Sequence, residues 1–441
     1  MAQPEVGFVG LGAMGGGMAK QLVTKGFPVS CYDIYPPSIE KLVQAGGKAA
    51  TSPADAARAA DMLVVMVVGP GQVSAVLFDK DTGAVHGLRQ NAIIIITSTV
   101  PPEFCEEVQG RLHGEFGRRD VTLLDCPVSG GTTGAAAGTL TIFSSGTDDG
   151  LDKAQPVLKG MGTKLCRIPG GIGFGSKAKM CHQIPPEVQI ALSNEVMAFA
   201  AKAGLNTQAT FDAVQASDGW SWVNGNRIPH MLEGDKSVYS AVPNSLKDSS
   251  IIVNYSRLVD YPVFLTATAE QVYKAGINAG WAKDDDSTLW RLYLSGYPDD
   301  TVHQMTKPGC TLIPRQDAVS VQDIINIFVG THLATCAETM GFTEAVGLDT
   351  AVMYQIFSKA AGASTQFIEQ VPKMKKPTWS LRDVPEARDI LKRMASRPRV
   401  KKKVVFPLTV KQEFSMVKAS SIGAAMPIAA AAVQVLKQSL Q

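Results

Sequence analysis

Lys179, His182 and Gln183 fall at i, i+3 and i+4 in the stretch GGIGFGSKAKMCHQ, residues 170–183. On a helix that spacing brings an amine and two hydrogen-bonding side chains to one face, which are the residue types of a proton-transfer site. A glycine-rich turn delivers the chain into them. The competing reading of the same residues is a solvated, lysine-bearing helix start, and the choice between the two depends on what the rest of the chain places nearby.

Three other stretches carry side chains or backbone suited to a ligand. Gly10-Leu11-Gly12-Ala13-Met14-Gly15 follows the apolar run 5–9 and opens a helical segment reaching Lys25. In that setting the glycines let backbone amides approach a pyrophosphate at a helix N-terminus. Asp33 closes a second strand 21 residues past Gly12, where a carboxylate can accept from adenosine ribose hydroxyls. No arginine follows it closely, which favours NAD over NADP, with NADP still possible; a helix-capping aspartate is the alternative reading. Val67 and Val68 end a third apolar strand, Thr97-Ser98-Thr99-Val100-Pro101 follows a fourth, and Cys126-Pro127-Val128-Ser129-Gly130-Gly131 a fifth. Loops at the carboxyl ends of parallel strands line the ligand crevice. A serine hydroxyl beside flexible glycines suits a carboxylate, against the simpler reading of a tight turn.

These residues require a particular frame. Apolar runs at 62–68, 92–96 and 121–125, separated by helical segments, are continuous rather than alternating, as strands covered on both faces must be. Runs at 139–144 and 164–168 predict two more strands. After Gly170 long amphipathic helices take over. The predicted fold is an α/β Rossmann domain with a doubly wound, mostly parallel sheet, then a long interdomain helix and all-α units. With 441 residues, two or three domains are expected: 1–170, 171–300 and 301–441. The formal charge of +2 gives no general attraction to nucleic acid or acidic membrane. Seven cysteines form no CxxC pair, which predicts reduced and mostly buried thiols, and no metal site is expected. No secretory pattern opens the chain and no apolar run spans a bilayer. The alanine-rich 423–435, broken by Pro427, reads as a buried helix. A cytoplasmic protein is the expectation, with an organelle left open.

In this order, Gly10 to Gly15 with Met18-Ala19, Asp125 to Gly138, Gly171 to Gln183 and Lys247-Asp248 resemble the β-hydroxyacid dehydrogenases. That family includes 3-hydroxyisobutyrate and L-threonate dehydrogenases and is related to 6-phosphogluconate dehydrogenase. The resemblance covers about the first 295 residues. It implies hydride transfer between NAD(P) and a small hydroxy acid, with Lys179 as general acid/base, Gln183 as a second helix amide and Ser129-Gly130-Gly131 as the substrate-carboxylate loop. Thr99 and Lys247 match positions beside the nicotinamide and cofactor. The threonate branch is most similar, through Val67-Val68, Met180, Gln183, Ser221-Trp222, Asn226-Arg227 and Asp284-Asp285-Asp286-Ser287. A desolvated lysine is chemically apt, since it accepts the proton released when an alcohol loses hydride.

Departures from the family pattern mark this chain. His182 stands where most members have an amide, as in the 6-phosphogluconate dehydrogenase branch; the acid seven residues after the lysine in that branch is here Pro186, with Glu187 next. Pro185-Pro186 predicts a disrupted helix, and oxidative decarboxylation is an alternative activity. Trp220 and Trp222 wall a pocket or fill a core. Arg227 binds an acidic group or pairs with a carboxylate. An imine or other carbonyl reductase and a non-catalytic NAD-sensing protein are the remaining alternatives.

Beyond residue 300 the chain repeats itself. Glu195, Met197, Phe199, Gly204 and Leu205 recur as Glu338, Met340, Phe342, Gly347 and Leu348, each pair 143 residues apart. Gly219, Ser221, Pro229 and Met231 recur likewise as Gly362, Ser364, Pro372 and Met374. Lys247 is echoed by Lys411 and Pro262 by Pro427. Gln322, Ile325 and Asn326 replace Lys179, His182 and Gln183, so the copy has lost the chemistry. The predicted role of 318–441 is an in-chain substitute for a partner subunit, covering the cleft beside Lys179, in a monomeric pseudo-dimer or a homodimer. The insertion 373–403 holds 12 Lys or Arg against 3 Asp or Glu; it reads as a solvated segment or a contact for phosphate or an acidic partner.

Overall fold

A computed structural model of the chain describes residues 3–374, 379, 381, 384–390 and 426–440. Lys411 and most of the basic insertion lie outside them. The chain divides into two compact units, Met1–Met180 and Cys181–Gln441.

In the first unit, β1 (Val6–Val9), β2 (Val29–Tyr32), β3 (Lys48–Ala49), β4 (Met62–Val65), β5 (Ile93–Ile96) and β6 (Thr122–Asp125) form one sheet in the order 3-2-1-4-5-6. Every pairing in it is parallel. β3, two exposed residues long, is too short and too polar to register as a hydrophobic run. Phe8, Val64, Ile95 and Leu124 share a register row and face one core, while Val9, Val65 and Ile96 face another. Burial on both faces explains the unbroken apolar runs. β7 (Val128–Ser129), β8 (Leu140–Ser144) and β9 (Gly162–Arg167) make a separate three-stranded sheet rather than extending the first.

Register decides which loops meet. Val9 lies opposite Tyr32 and Val65, Val65 opposite Ile96, and Ile96 opposite Asp125. The segments after β1, β2, β4, β5 and β6 therefore all leave one edge of the sheet, on either side of the β1/β4 switch point where parallel sheets bind ligands.

The helix Phe174–Lys202 runs unbroken through Pro185 and Pro186. This corrects the predicted disruption: two prolines remove two amide donors, but the helix is long and buried around them, and packing overrides local preference.

The other named elements among the described residues of the second unit are helices, and two of its stretches exchange matched bonds. Trp222 N–H donates to Ala363 O at 2.9 Å and Thr365 N–H to Trp220 O at 3.2 Å, on either side of an antiparallel bridge between Ser221 and Ser364. Ser221 caps the helix Trp222–Glu233 and Ser364 caps Thr365–Gln370, each accepting an amide three residues on. Asn206 and Asp349 cap Thr207–Gln215 and Thr350–Phe357 in the same way. Glu195 accepts from the amides of Ile428 and Ala429 at 2.9 and 3.0 Å. Glu338 accepts from those of Leu265 and Thr266 at 2.7 and 3.0 Å. Each stretch thus caps a helix of the other, Pro427–Leu440 in one direction and Phe264–Asn278 in the reverse. The caps place Pro427 opposite Phe264, not opposite Pro262 as the proline match predicts, because the register follows the amides a carboxylate can reach.

All seven cysteines are free and five are buried. Among the described residues no helix is long and apolar enough to cross a membrane.

Candidate active site

The loop after β1 is shaped for a dinucleotide. Gly10 has φ +96° and a Cβ there would lie 2.1 Å from the Met66 carbonyl; a Cβ on Gly15 would lie 1.9 Å from the Gly10 carbonyl. Only glycine fits either position. Nothing lies within 4 Å of a Cβ built on Gly12, so that face is open. The helix Gly15–Thr24 begins without a side-chain cap at Met14 and without an acid in its first turn, which leaves its amides and positive end available to an anion. Asp33 accepts from Leu11 N–H at 2.6 Å and from Tyr35 N–H at 2.8 Å. It ties the end of β2 to the glycine loop, while the N-cap of the next helix is Tyr35. Val67 N–H is held by Ser98 Oγ at 2.8 Å, Val68 is exposed and Thr99 half-buried. Gly10 to Gly15, Asp33, Val67, Val68 and Thr99 all lie along the one edge that the register defines.

The start of the lysine-bearing helix is tied to that edge by Asp125, the last residue of β6. Its carboxylate accepts from Ser176 N–H at 2.6 Å and from Ser176 Oγ–H at 2.7 Å, and Gly175 N–H donates to Ser145 Oγ at 2.7 Å. Lys179 follows Ser176 by three residues and is only 6% exposed. Ser129, four residues after Asp125 and buried, pairs with Thr141 in the small sheet, and Gly130 opens the helix Gly131–Ala137. The stretch Asp125 to Gly131 therefore joins the anchor of the lysine helix to the Ser129-Gly130-Gly131 turn. The anchoring role of Asp125 was not read from sequence, where it looked like the end of a strand.

Burial pushes the Asp125 carboxyl up to about 6, against the opposing hydrogen bonds from Ser176. An acid whose folded pKa exceeds its unfolded one makes the fold less stable as pH rises between the two. The wild type should lose stability from about pH 4 to about pH 6, and Asp125→Asn should lack that part of the slope. Parallel slopes in denaturant titrations of the two proteins would contradict the assignment.

In the second unit Gln183 is part of a buried polar cluster. Its Nε2 donates to Asp248 Oδ2 at 2.7 Å and to Glu187 Oε1 at 3.4 Å, and its Oε1 lies 3.2 Å from His182 Nδ1. The His182 ring is buried and meets Phe357 edge-on at 5.7 Å. Glu187 is buried as well, and its carboxyl is pushed well above the usual range by burial, then by the charges of Asp248 and Asp286. The unbroken helix places it one turn after Gln183. Arg227 donates to Asp286 from Nε at 2.7 Å and from Nη2 at 3.3 Å, so the carboxylate-pairing reading of Arg227 holds. Lys247 pairs with Asp248 at 3.1 Å. Trp222, 43% exposed, opens the helix Trp222–Glu233 rather than filling a core. Asp248, Glu187 and Asp286 belong to this cluster; spacing drew notice to Glu187, whereas Asp248 and Asp286 entered only within the Lys247-Asp248 and Asp284 to Ser287 stretches.

With a dinucleotide loop at one edge of a parallel sheet and a buried lysine tethered to the same edge, the fold and site define an NAD(P)-dependent oxidoreductase. The family model described as the NAD binding domain of 6-phosphogluconate dehydrogenase matches residues 5–170, and that described as NAD-binding of NADP-dependent 3-hydroxyisobutyrate dehydrogenase matches residues 173–293. An L-threonate dehydrogenase of Cupriavidus necator is 35% identical over 288 residues, 65% of this chain and 95% of the relative. A crystal structure of 3-hydroxyisobutyrate dehydrogenase from Salmonella typhimurium matches with a TM-score of 0.61 at 33% identity, over 66% of this chain and 100% of that one. The Plasmodium falciparum 6-phosphogluconate dehydrogenase, 13% identical, shares the fold over 99% of this chain and 93% of its own, with a TM-score of 0.65. The chain belongs to the β-hydroxyacid dehydrogenase family and is an NAD(P)-dependent hydroxyacid dehydrogenase.

Proposed function

We infer that the chain oxidises, or forms by reduction, a small hydroxy acid of the threonate or 3-hydroxyisobutyrate type, with NAD as the preferred cofactor. The observation that carries this reading is the tether from Asp125 to Ser176, which fixes Lys179 relative to the Ser129-Gly130-Gly131 loop and to the edge bearing the glycine loop. NAD supplies the hydride acceptor. The protein's own residues do the rest. The amides at Gly10 to Gly15 hold the pyrophosphate, Asp33 accepts from the ribose, and Ser129 with its glycines receives the substrate carboxylate. Lys179 Nζ accepts the hydroxyl proton as the carbonyl forms, or returns it in reduction. Thr99 and Lys247 serve the cofactor, and Trp222 the substrate.

The relatives' names differ in the acid they act on, and L-threonate dehydrogenases match at higher identity than the mammalian 3-hydroxyisobutyrate dehydrogenases. Threonate-like acids are therefore the first substrates to test. Purified protein with NAD and a panel of threonate, 3-hydroxyisobutyrate and related acids should produce the reduced-nicotinamide absorbance band, most rapidly with a polyhydroxylated acid and faster with NAD than with NADP. Silence across the panel would reject the activity; preference for NADP would reject the role of Asp33.

The exchanged caps of Glu195 and Glu338 and the paired bridge at Ser221 and Ser364 support reading 318–441 as a degenerate copy that stands where a partner subunit would. Phe357 of that copy packs on His182, and Gly362 on Pro185 and Pro186. At the positions matching Lys179 and Gln183 the copy carries Gln322 bonded to Asn326 at 3.0 Å, a pair with no ionisable group. This makes one catalytic lysine per chain.

A further inference from the structure

β4 and β5 end before the ligand edge, yet the segment that follows β4 is held in place. Thr97 N–H and Thr97 Oγ1–H both donate to Val65 O at 2.9 Å, which closes the pairing of the two strands. Continuing the register of Val65 opposite Ile96 puts Val67 opposite Ser98, two residues past the end of each strand. A further rung of the ladder would offer the Val67 amide a backbone carbonyl. Ser98 Oγ stands in for it, accepting from Val67 N–H at 2.8 Å. Ser98 is fully buried, so water cannot replace the hydroxyl at that bond. On one side of Val67, the Met66 carbonyl lies where a Cβ on Gly10 would stand 2.1 Å away. On the other, Val68 N–H donates to Gln72 Oε1 at 2.9 Å. The loops after β1 and β4 flank the switch point at which a parallel sheet takes its ligand, and the Val68 side chain is exposed there.

We propose that Ser98 is a positioning residue for the cofactor, which fixes Val67-Val68 against the glycine loop so that NAD meets a crevice wall already formed. This rests on the NAD reading above and deepens it. Ser98 is buried beneath the segment and acts through it, not by touching the ligand. Without the hydroxyl, the Val67 amide loses its acceptor. The segment must then be ordered as the cofactor binds, and ordering a loop on binding lowers affinity. The β5 side of the crevice thereby controls the β4 side through one side chain, within the first unit alone.

The test uses the full chain. Hydrogen exchange without cofactor, read by mass spectrometry on fragments covering residues 62–69, should be slower in wild type than in Ser98→Ala. NAD affinity, read by quenching of intrinsic fluorescence, should fall about tenfold in Ser98→Ala, and the loss should appear in KM for NAD rather than in kcat. Ser98→Thr, which keeps the acceptor oxygen, should restore both protection and affinity. Ser144→Ala removes another buried serine bond of the first unit, to the Cys166 carbonyl at 3.3 Å in the small sheet. It should lower the unfolding midpoint and leave NAD affinity as it is, which separates the tie from a general loosening. Equal exchange in wild type and Ser98→Ala, undiminished NAD affinity in Ser98→Ala, or an equal loss of affinity in Ser144→Ala overturns the proposal. A wild type that binds no NAD overturns the cofactor reading and the proposal with it; exchange, being measured without cofactor, tells that failure from a failure of the tie.

Discussion

Lys179→Ala should lower kcat by about two to four orders of magnitude while NAD affinity, measured by quenching of intrinsic fluorescence, changes little. The amine sits on a helix whose start is fixed through Ser176 by Asp125, so the substitution removes the group proposed to accept the proton without releasing the helix. Lys179→Arg should be nearly as inactive, because a guanidinium holds its proton at any pH the enzyme experiences. Near-normal turnover in either variant would remove Lys179 from the chemistry and return the stretch 170–183 to a structural helix start.

The second large effect is on stability. Glu338→Ala deprives the buried amides of Leu265 and Thr266, and the Thr266 hydroxyl at 2.7 Å, of their acceptor. Each orphaned buried donor costs about 1–3 kcal/mol, so the variant should lose at least about 3 kcal/mol in denaturant unfolding of the second unit. Glu195→Ala, acting on Ile428 and Ala429, should cost a similar amount. Matched losses follow if the two stretches are copies that cap one another. A cost at one glutamate and none at the other would break the equivalence and weaken the reading of 318–441 as a built-in partner.

The parts of the molecule legible from sequence are those where one local rule decides the outcome. The Rossmann sheet is announced by apolar runs buried on both faces, and its ligand edge by Gly10, whose φ of +96° and contact with the Met66 carbonyl admit no side chain. The proposed repeat rests on glycines, caps and a carboxylate recurring 143 residues apart, as at Gly204 and Gly347, both with positive φ. Illegible were the features that depend on partners distant in the chain. Pro185-Pro186 looks like a break by local geometry, yet the helix runs through both, with Gly362 close against them. Asp125 looks like a strand end until Ser176, 51 residues later, is seen to donate to it. The bond from Gln183 to Asp248, 65 residues later, has no local signal either. Composition and spacing carry no record of such contacts.

Transfer of the label from a hydroxy acid deuterated at the carbinol carbon is the most direct test of the central claim. If the chain is a hydroxyacid dehydrogenase with Lys179 as its proton acceptor, threonate carrying deuterium at that carbon should leave the label on C4 of the reduced nicotinamide, with turnover slowed by the isotope, and Lys179→Ala should abolish the transfer. Reduced cofactor without deuterium, or transfer undiminished in Lys179→Ala, would contradict the account.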